Sequence, residues 1–192
     1  MSLDHILLGL LRRPASGYDL KQEFEQGVRH FWSAELSQIY PTLTRLERQG
    51  FLKSSREPSA QGPERRVYRR TDKGRKELLQ WLRGGPVMGK QRFAYVAQLA
   101  FLHEAGDLQA TREFMERLRE ELRAYLDFLE VTEKDALAAN PHPESWPEAE
   151  FHEYLCLRMG VTSIRARIVW CEECLTRIRA RQRKVKKKEA VK

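Results

Sequence analysis

The feature that most constrains the fold is a change of pattern near residue 50. Residues 37–52 read SQIYPTLTRLERQGFL, and within them Ile39, Leu43 and Leu46 recur at helical spacing, which predicts one buried helix face. Gly50 is a typical left-handed helix cap, so we expect the helix to end there and an extended segment to follow. The other face is small and hydrogen-bonding near its start and basic further along. This pattern indicates a helix that presents a polar face to a partner.

Pro41 lies inside this predicted helix. Proline has no N–H group, so it removes the hydrogen bond to the Ser37 carbonyl and biases the preceding residue toward extended geometry. If the helix begins at Ser37, only its first hydrogen bond is lost, and if it begins after a cap at Ser33, the helix kinks. Both alternatives hold the first turn open near a surface.

Two strands are predicted directly after this helix, and two helices before it. Residues 51–57 (FLKSSRE) and 65–71 (RRVYRRT) have extended patterns, and PSAQGPE between them is typical of a hairpin tip. The first helix ends near Pro14. Ser16 opens the second helix, and Asp19 completes a capping-box variant.

A fourth helix follows the second strand, with Asp72 as its predicted cap. Gly84-Gly85-Pro86 breaks it, which predicts a domain boundary at that point. The order helix, helix, helix, strand, tip, strand, helix predicts a winged helix-turn-helix domain over residues 1–84. We call the two strands and their tip the wing. Such a domain leaves no obvious catalytic cleft.

The second half predicts a helical domain over residues 85–182, so the fold class is mainly α. A short helix is predicted near Phe93, and a long helix capped by Asp107 precedes a proline-rich link at 139–148 and a last long helix. Each long helix carries an apolar heptad series, which we call a seam, and two seams predict an antiparallel coiled-coil-like hairpin that packs on a partner's copy. The predicted dimer interface comprises Leu118, Leu122, Tyr125, Val161, Ile164, Ile168, Cys171 and Leu175.

The net charge of +8 is unevenly distributed along the chain. Residues 1–84 have a net charge of +6, residues 85–176 of −6 and residues 177–192 of +8. A basic first domain beside an acidic second one indicates that the first domain meets a polyanion. The last residues, 183–192, are predicted to form a basic disordered tail, which either binds nucleic acid or an acidic membrane surface or only keeps the protein soluble.

Composition and cysteine usage indicate a cytoplasmic protein without disulfides. Three cysteines in 192 residues do not form a disulfide framework, and no apolar run approaches the roughly 18 residues of a membrane span. The N-terminal apolar stretch has its basic residues after it and no small-residue cleavage site, so we predict no signal peptide and no membrane partner.

A zinc site is the alternative explanation for the cysteines. His152 lies four residues before Cys156, and Cys171 and Cys174 have the spacing of a metal-binding pair. On one continuous helix, however, Cys156 and Cys171 are about 22 Å apart, so one metal ion cannot reach both. Cys171 also lies in the second seam, where a small apolar residue fits. We therefore expect core packing, with no metal and no other cofactor.

Catalysis is not indicated by the sequence. The five histidines are scattered, none lies in a recognisable nucleophile or metal motif, and no glycine-rich phosphate loop occurs. Glu120-Glu121 and Glu172-Glu173 are adjacent pairs, and adjacent side chains on a helix point in different directions. We expect no enzyme.

The third helix and the wing have the chemistry of a DNA-reading element. A recognition helix meets base edges with its N-terminal residues; glutamine can pair with adenine, and a threonine methyl can meet thymine. Arg65 and Arg66, near the tip, are suited to phosphate contact. The alternatives are an ordinary amphipathic helix and an edge strand protected by basic residues. The predicted DNA-binding residues are Ser37, Gln38, Tyr40, Pro41, Thr44, Arg45, Lys53, Gln61, Gly62, Arg65, Arg66 and Tyr68.

Taken together, three stretches resemble the PadR family of transcriptional regulators. They are LLGLLRRPASGYDLKQEFE, FWSAELSQIYPTLTRLERQGFL and GPERRVYRRTDKGRKELLQWL, and the resemblance covers residues 3–82. The GY after the first helix, the QIYPTLTRLE helix and the VY-x-x-T-x-x-G ending of the wing match the family pattern together. The helical second half is similar to the larger subfamily with a C-terminal, virulence-activator-like domain.

This resemblance implies a homodimeric winged-helix repressor that binds double-stranded operator DNA and is often released by a small molecule. It also implies that Ser37, Gln38, Tyr40, Thr44 and Arg45 face DNA. The resemblance does not identify effector residues. From the residues themselves, the candidates for a pocket that takes a small apolar or aromatic effector are Phe93, Tyr95, Trp146 and Trp170, and the alternative is that these aromatics pack in the dimer core. The alternative function is a coiled-coil assembly or adaptor protein whose winged helix binds protein.

Overall fold

Residues 2–24, 36–59, 62–89 and 92–189 are described by a computed structural model of the chain. The chain divides into two units, residues 1–89 (unit 1) and 90–192 (unit 2). The predicted fold class, mainly α with an N-terminal winged helix and a C-terminal helical domain, is confirmed. The division lies five residues beyond the predicted end of the first domain at residue 84.

Unit 1 contains four helices and a small sheet within its described residues. In chain order the elements are α1 (Ser2–Leu10), β1 (Ala15–Ser16), α2 (Gly17–Glu23), α3 (Leu36–Arg48), β2 (Leu52–Ser59), β3 (Gly62–Arg70) and α4 (Asp72–Arg83). The capping box predicted for α2 is present, because the side chains of Ser16 and Asp19 each accept a hydrogen bond from the other residue's backbone N–H. The cap of α4 is Thr71 and not Asp72, since the Thr71 hydroxyl accepts from the Gly74 N–H at 3.1 Å.

The sheet has three antiparallel strands in the order β1-β3-β2. β1 was not predicted, because it has only two residues; Ala15 pairs with Tyr68 and Ser16 with Val67. β2 and β3 extend nearer to the tip than the predicted bounds of 51–57 and 65–71, and their register shifts between Glu57 and Ser59. The intervening Pro58 has no N–H to donate to the ladder.

The core of unit 1 is centred on the apolar face of α3. Ile39, Leu43 and Leu46 are almost completely buried, as the helical spacing predicts, and they share one cluster with Leu7 of α1 and Leu20 of α2. The opposite face of α3 is therefore directed to the surface.

The helix α3 continues through Pro41. The lost N–H donor falls at the Ser37 carbonyl, one turn earlier, as the sequence predicts. The next carbonyls receive side-chain donors, from the Thr42 hydroxyl to Gln38 at 2.8 Å and from the Thr44 hydroxyl to Tyr40 at 3.1 Å. The predicted cap Ser33 lies outside the described residues.

Unit 2 is helical throughout its described elements. These are α5 (Ala94–Phe101), α6 (Leu108–Ala139) and α7 (Glu148–Glu189), with 3-10 turns at Leu102–Ala105 and Pro143–Ser145. Asp107 caps α6 as predicted, accepting from the Ala110 N–H at 2.8 Å.

The two seams meet each other within one chain, as the predicted antiparallel hairpin requires, and the residues predicted for the dimer interface lie along its core. α6 and α7 pack as an antiparallel hairpin, and its buried core already contains Leu118, Leu122, Val161, Ile164, Ile168, Cys171 and Leu175, with Tyr125 partly buried against it. Ion pairs join the flanks of the hairpin, such as Arg165 with Glu130 at 2.7 Å and Arg158 with Glu133 at 2.8 Å. A heptad series predicts a partner helix but not whether that helix belongs to the same chain.

The last helix is longer than predicted. α7 continues to Glu189, so the residues from 183 to 189 are helical rather than a disordered tail. The physical reason is that lysine and arginine are good helix formers and that no glycine or proline interrupts this stretch. Among the described residues, no helix is long and apolar enough to cross a membrane.

We expect Ile168→Asp to unfold the α6–α7 hairpin, whereas Val169→Asp should leave it folded. The Ile168 side chain is 9% exposed and lies in the seam, so a carboxylate there loses apolar burial and finds no partner, at a cost of about 3 kcal/mol or more. The neighbouring Val169 is 54% exposed and serves as the matched control. Helical circular dichroism during thermal unfolding measures both, and equal stability of the two variants would contradict the internal seam.

Candidate nucleic-acid interface

The outward face of α3 presents the side chains that the sequence predicts for base contact. Ser37, Gln38, Tyr40, Pro41 and Thr44 are all exposed, whereas the apolar residues between them are buried. The helix lacks acidic residues in its first turn and has Arg45 and Arg48 in its last turn. The start of the exposed face is therefore uncharged and hydrogen-bonding, and its end is basic.

Tyr40 is held against the first residue of α2. A Cβ atom at Gly17 would lie 2.5 to 2.7 Å from three outer atoms of the Tyr40 ring and hydroxyl, so only glycine gives the ring this position. The ring is nevertheless 46% exposed. Gly17 therefore sets where the tyrosine lies on the surface, which the sequence signalled only through the GY pair that follows the first helix.

Arg45, predicted to face DNA, is engaged inside unit 1. Its guanidinium donates two hydrogen bonds to the Asp4 carboxylate of α1, at 2.5 and 2.7 Å. Burial raises the pKa of Asp4, but the hydrogen bonds and charge of Arg45 together outweigh it and lower that pKa below its ordinary value. The pair is ionised at neutral pH, and it joins the end of α3 to the start of α1.

The basic residues of the wing are also mostly paired. Arg65 lies 3.4 Å from Asp19, Arg69 donates to Glu57 at 2.6 Å, and Arg70 donates to the Leu8 carbonyl at 2.7 Å. Arg66 contacts Glu47 and Ser54, and both Arg65 and Arg66 keep half of their side-chain surface exposed. Lys53 is exposed on β2. Gly62 is the first residue of β3, and Gln61 lies outside the described residues.

Tyr68, predicted to contact DNA, lies instead in the core. It is 2% exposed and belongs to the cluster that packs beneath α3. The alternation of the strand explains the difference, since Tyr68 pairs with Ser54 and so shares the inward face of β2 and β3 with Leu52. Burial raises the pKa of its hydroxyl, which therefore stays protonated.

The four predicted pocket aromatics do not form one pocket. Tyr95 lies between Phe93 and Trp170, with ring centroids 5.5 and 6.4 Å away, and the Arg167 guanidinium lies 4.5 Å above the Phe93 ring. Trp146 packs on Tyr154 instead, at 5.4 Å, and donates to the Asn140 carbonyl. Tyr154 and Trp170 are both on α7, about 24 Å apart along the axis. We call Phe93, Tyr95 and Trp170, with Arg167, the aromatic cluster.

Cys171 has the surroundings of a packed thiol and Cys174 is partly buried, whereas Cys156 is exposed, so the predicted core packing is wrong for Cys156. Cys156 and Cys171 both lie on the uninterrupted α7, and Cys171 is fully buried in the seam. Burial raises the pKa of Cys171, so the thiol stays protonated. Among the described residues, no group of three His, Cys, Asp or Glu side chains could hold a metal ion.

Sequence reasoning missed the acidic partners of the arginines. Asp4, Asp19, Glu47 and Glu57 each pair with an arginine of the third helix or the wing. Only the capping role of Asp19 had a local signal, because the other three pairs depend on how the elements pack.

An N-terminal unit with three helices before a two-stranded hairpin, a fourth helix after it and an outward polar face on the third helix defines a winged-helix protein of the nucleic-acid-binding class. Family models match both units: one described as the transcriptional regulator PadR-like family covers residues 6–80, and one described as virulence activator alpha C-term covers residues 92–179. The negative transcriptional regulator PadR of Bacillus subtilis (strain 168) is 30% identical over 92% of this chain and 97% of its own length. The chain therefore belongs to the PadR-like family, as the sequence motifs predict.

Solved structures support the same assignment over nearly the whole chain. Bacillus subtilis PadR in complex with operator DNA superposes with a TM-score of 0.76 at 29% identity, covering 93% of this chain and 99% of that one. The same regulator in complex with p-coumaric acid superposes with a TM-score of 0.68 at 28% identity, covering 92% of this chain and 94% of that one. The Vibrio cholerae virulence activator AphA superposes with a TM-score of 0.72 at 27% identity, covering 93% of this chain and 98% of that one.

We expect two glycine substitutions to differ sharply in their effect on stability. Gly74→Ala places a Cβ against the backbone carbonyl of Phe51, which cannot move freely, so unit 1 should lose about 2 kcal/mol. Gly17→Ala meets only the outer end of the half-exposed Tyr40 ring, which can rotate aside, so stability should change by about 0.5 kcal/mol or less. Thermal unfolding measures stability, and the tyrosine ring signals in NMR spectra report the displacement. A stable Gly74→Ala variant would contradict the close contact.

Proposed function

We propose that this protein is a homodimeric transcriptional repressor that binds a pseudo-palindromic DNA operator and is released by a small molecule. The observation that carries the proposal is the exposed polar face of α3, set on a fully buried apolar face in a member of the PadR-like family. The Bacillus subtilis regulator with operator DNA, to which the chain is similar along 93% of its length, supports this function. The proposed role is regulatory and not enzymatic, and a chromosomal operator implies work in the cytoplasm.

In this proposal α3 reads the major groove with the first half of its exposed face. Gln38 pairs with adenine, and Tyr40 and Thr44 contact neighbouring base edges, the threonine methyl meeting thymine. Ser37 contributes a hydroxyl, and Pro41 removes its own N–H as a donor to the Ser37 carbonyl. Arg45 positions α3 through Asp4 rather than reaching a phosphate, because both ends of its guanidinium are already engaged.

The wing contributes positive charge in the same proposal. Lys53 and Arg65 are exposed on the hairpin, and the Arg65 pair with Asp19 is long enough to be exchanged for a phosphate contact. Exposed ion pairs of this kind contribute little to stability, so releasing one costs little. Phosphate contacts of this type position a protein on DNA without reading sequence.

A second copy is proposed to pack on the outer face of α7. Leu155, Met159 and Val169 are about half exposed and recur on the face of α7 that points away from the seam. An exposed apolar stripe on a long helix is typical of an interaction surface. Dimerisation would then place two recognition helices on one operator, which a single winged helix cannot span.

The aromatic cluster is the proposed effector site. Three ring faces with one guanidinium suit a planar aromatic ligand that carries a negative charge, through stacking and charge-assisted hydrogen bonds. The complex of Bacillus subtilis PadR with p-coumaric acid supports a ligand of this class. Titration of the protein–DNA complex with p-coumaric acid tests this part: release of DNA is expected, and loss of release in Trp170→Ala would locate the site.

The central experiment is selection of fragments from the source organism's own genomic DNA, followed by binding titrations at several salt concentrations. A DNA-binding repressor enriches a few sites, and its affinity falls steeply with added salt because counterions are released from the phosphates. No enrichment and no salt dependence would favour the adaptor function, in which the winged helix binds protein.

We expect substitutions on α3 and on the wing to act differently on DNA. Gln38→Ala and Tyr40→Ala should weaken binding to the selected fragment by about 1–3 kcal/mol and leave binding to a scrambled duplex unchanged. Lys53→Ala and Arg65→Ala should weaken binding to both duplexes equally and lower the salt slope by about one each. Fluorescence anisotropy with both duplexes measures the four variants. A wing variant that changes only base preference would contradict the division of roles.

We expect Val169→Asp to remain folded but to become monomeric and to lose affinity for a two-half-site operator. A carboxylate on the outer face of α7 would have to be desolvated in the proposed interface. Light scattering and a binding titration on the same sample measure both effects, and Val131→Asp, at a similarly exposed valine of α6, is the matched control. A dimeric Val169→Asp variant would show that the subunits join elsewhere.

A further inference from the structure

Glu47 is an acidic residue near the end of a helix whose outer face is otherwise basic at that point. It follows Arg45 and precedes Arg48 on α3. A carboxylate beside a DNA-binding face repels phosphates, so charge alone gives no reason for it to be there. Its contacts give a different reason.

Glu47 uses both carboxylate oxygens to join α3 to the two strands of the wing. The Ser54 hydroxyl of β2 donates to Oε1 at 2.6 Å, and the Arg66 guanidinium of β3 donates to Oε2. Arg66 also donates through Nε to the Ser54 hydroxyl at 2.8 Å. The three side chains therefore form a closed triangle, with one member on each of α3, β2 and β3.

The triangle rests on the core of unit 1. The Arg66 guanidinium lies 5.2 Å above the ring of Tyr68, and Tyr68 is buried beneath α3. Ser54 is directly opposite Tyr68 in the ladder. Arg66 is thus fixed on one side by an aromatic face and on the other by Glu47, although half of its side chain is exposed.

We propose that Glu47 is a positioning residue that fixes the wing relative to the recognition helix and thereby sets operator preference. The inference rests on the proposed DNA-binding function. A base-reading helix and a phosphate-binding hairpin discriminate between sequences only if both meet the duplex in one register. Exposed hydrogen-bonded ion pairs contribute little to folding stability, so the effect of Glu47 falls on geometry.

A purely electrostatic role and a positioning role predict opposite changes in operator affinity when Glu47 is replaced. If Glu47 acted only through its charge, removing that charge would strengthen binding to every DNA sequence. If Glu47 positions the wing, removing it weakens binding to the operator while binding to unrelated DNA rises slightly or stays the same.

The experiment compares Glu47→Gln with Glu57→Gln. Glu57 is a matched control because it also accepts hydrogen bonds from one serine and one arginine, Ser55 at 2.9 Å and Arg69 at 2.6 Å, yet all three lie within the hairpin. Both substitutions remove one negative charge and keep the side-chain shape. The probes are a genomic fragment selected by the wild-type protein and a scrambled duplex of the same composition.

We expect Glu47→Gln to lower the ratio of selected to scrambled affinity about tenfold, a typical coupling for residues in one hydrogen-bond network. Glu57→Gln should raise both affinities together and leave the ratio unchanged. Ser54→Ala removes the bridging hydroxyl without changing charge, so it should lower the ratio and leave scrambled affinity unchanged. Thermal unfolding of each variant verifies that unit 1 is folded.

A Glu47→Gln variant that binds both duplexes more tightly, with the ratio preserved, would overturn the positioning role and leave the proposed function standing. A parallel drop of the ratio in Glu57→Gln would also overturn it, because the effect would then belong to wing charge in general. Wild-type protein that does not distinguish the two duplexes would overturn the proposed function itself.

Discussion

The burial of one face of α3 is the constraint on which the rest of unit 1 depends. Ile39, Leu43 and Leu46 are removed from water almost completely, and each buried aliphatic side chain of this size contributes about 1.5–3 kcal/mol. Because a helix that buries one stripe must expose the other, this packing fixes the outward direction of Gln38 and Tyr40. The outward polar face proposed to bind DNA is thus a geometric consequence of the core.

Most of the arginines on the surface of unit 1 are paired with carboxylates of the same unit. Arg45, Arg65, Arg66 and Arg69 each have a carboxylate partner within the unit. Pairing lowers the number of charges that a DNA backbone can neutralise at no cost, and it holds planar guanidinium groups in set orientations. The net charge of residues 1–84 already counts both members of each pair, so pairing leaves that net charge unchanged and reduces only the number of unpaired cations.

The sequence predicts periodic features well and packing partners poorly. The buried face of α3 follows from the helical spacing of its apolar residues. The caps at Ser16 and Asp107 follow from local patterns too, since each cap hydrogen bond joins residues three apart. The burial of Tyr68 cannot be predicted from local patterns, because the register of the strands decides which face of the sheet the side chain is on. The packing partner of the seam cannot be predicted from local patterns either. Ile168 shows the same heptad spacing whether its partner helix lies in the same chain or in a second copy.

The two carboxylates that join α3 to its neighbours differ in a way that separates their roles. Asp4 keeps 15% of its side chain exposed and holds both ends of the Arg45 guanidinium, so breaking that pair strands a charge beside the core. Glu47 keeps 27% exposed, and its partner Arg66 keeps 50%, so water can replace either one. The inner pair therefore contributes to the stability of α1 on α3. The outer pair costs little to break, so its proposed contribution is to the position of the wing rather than to the stability of unit 1.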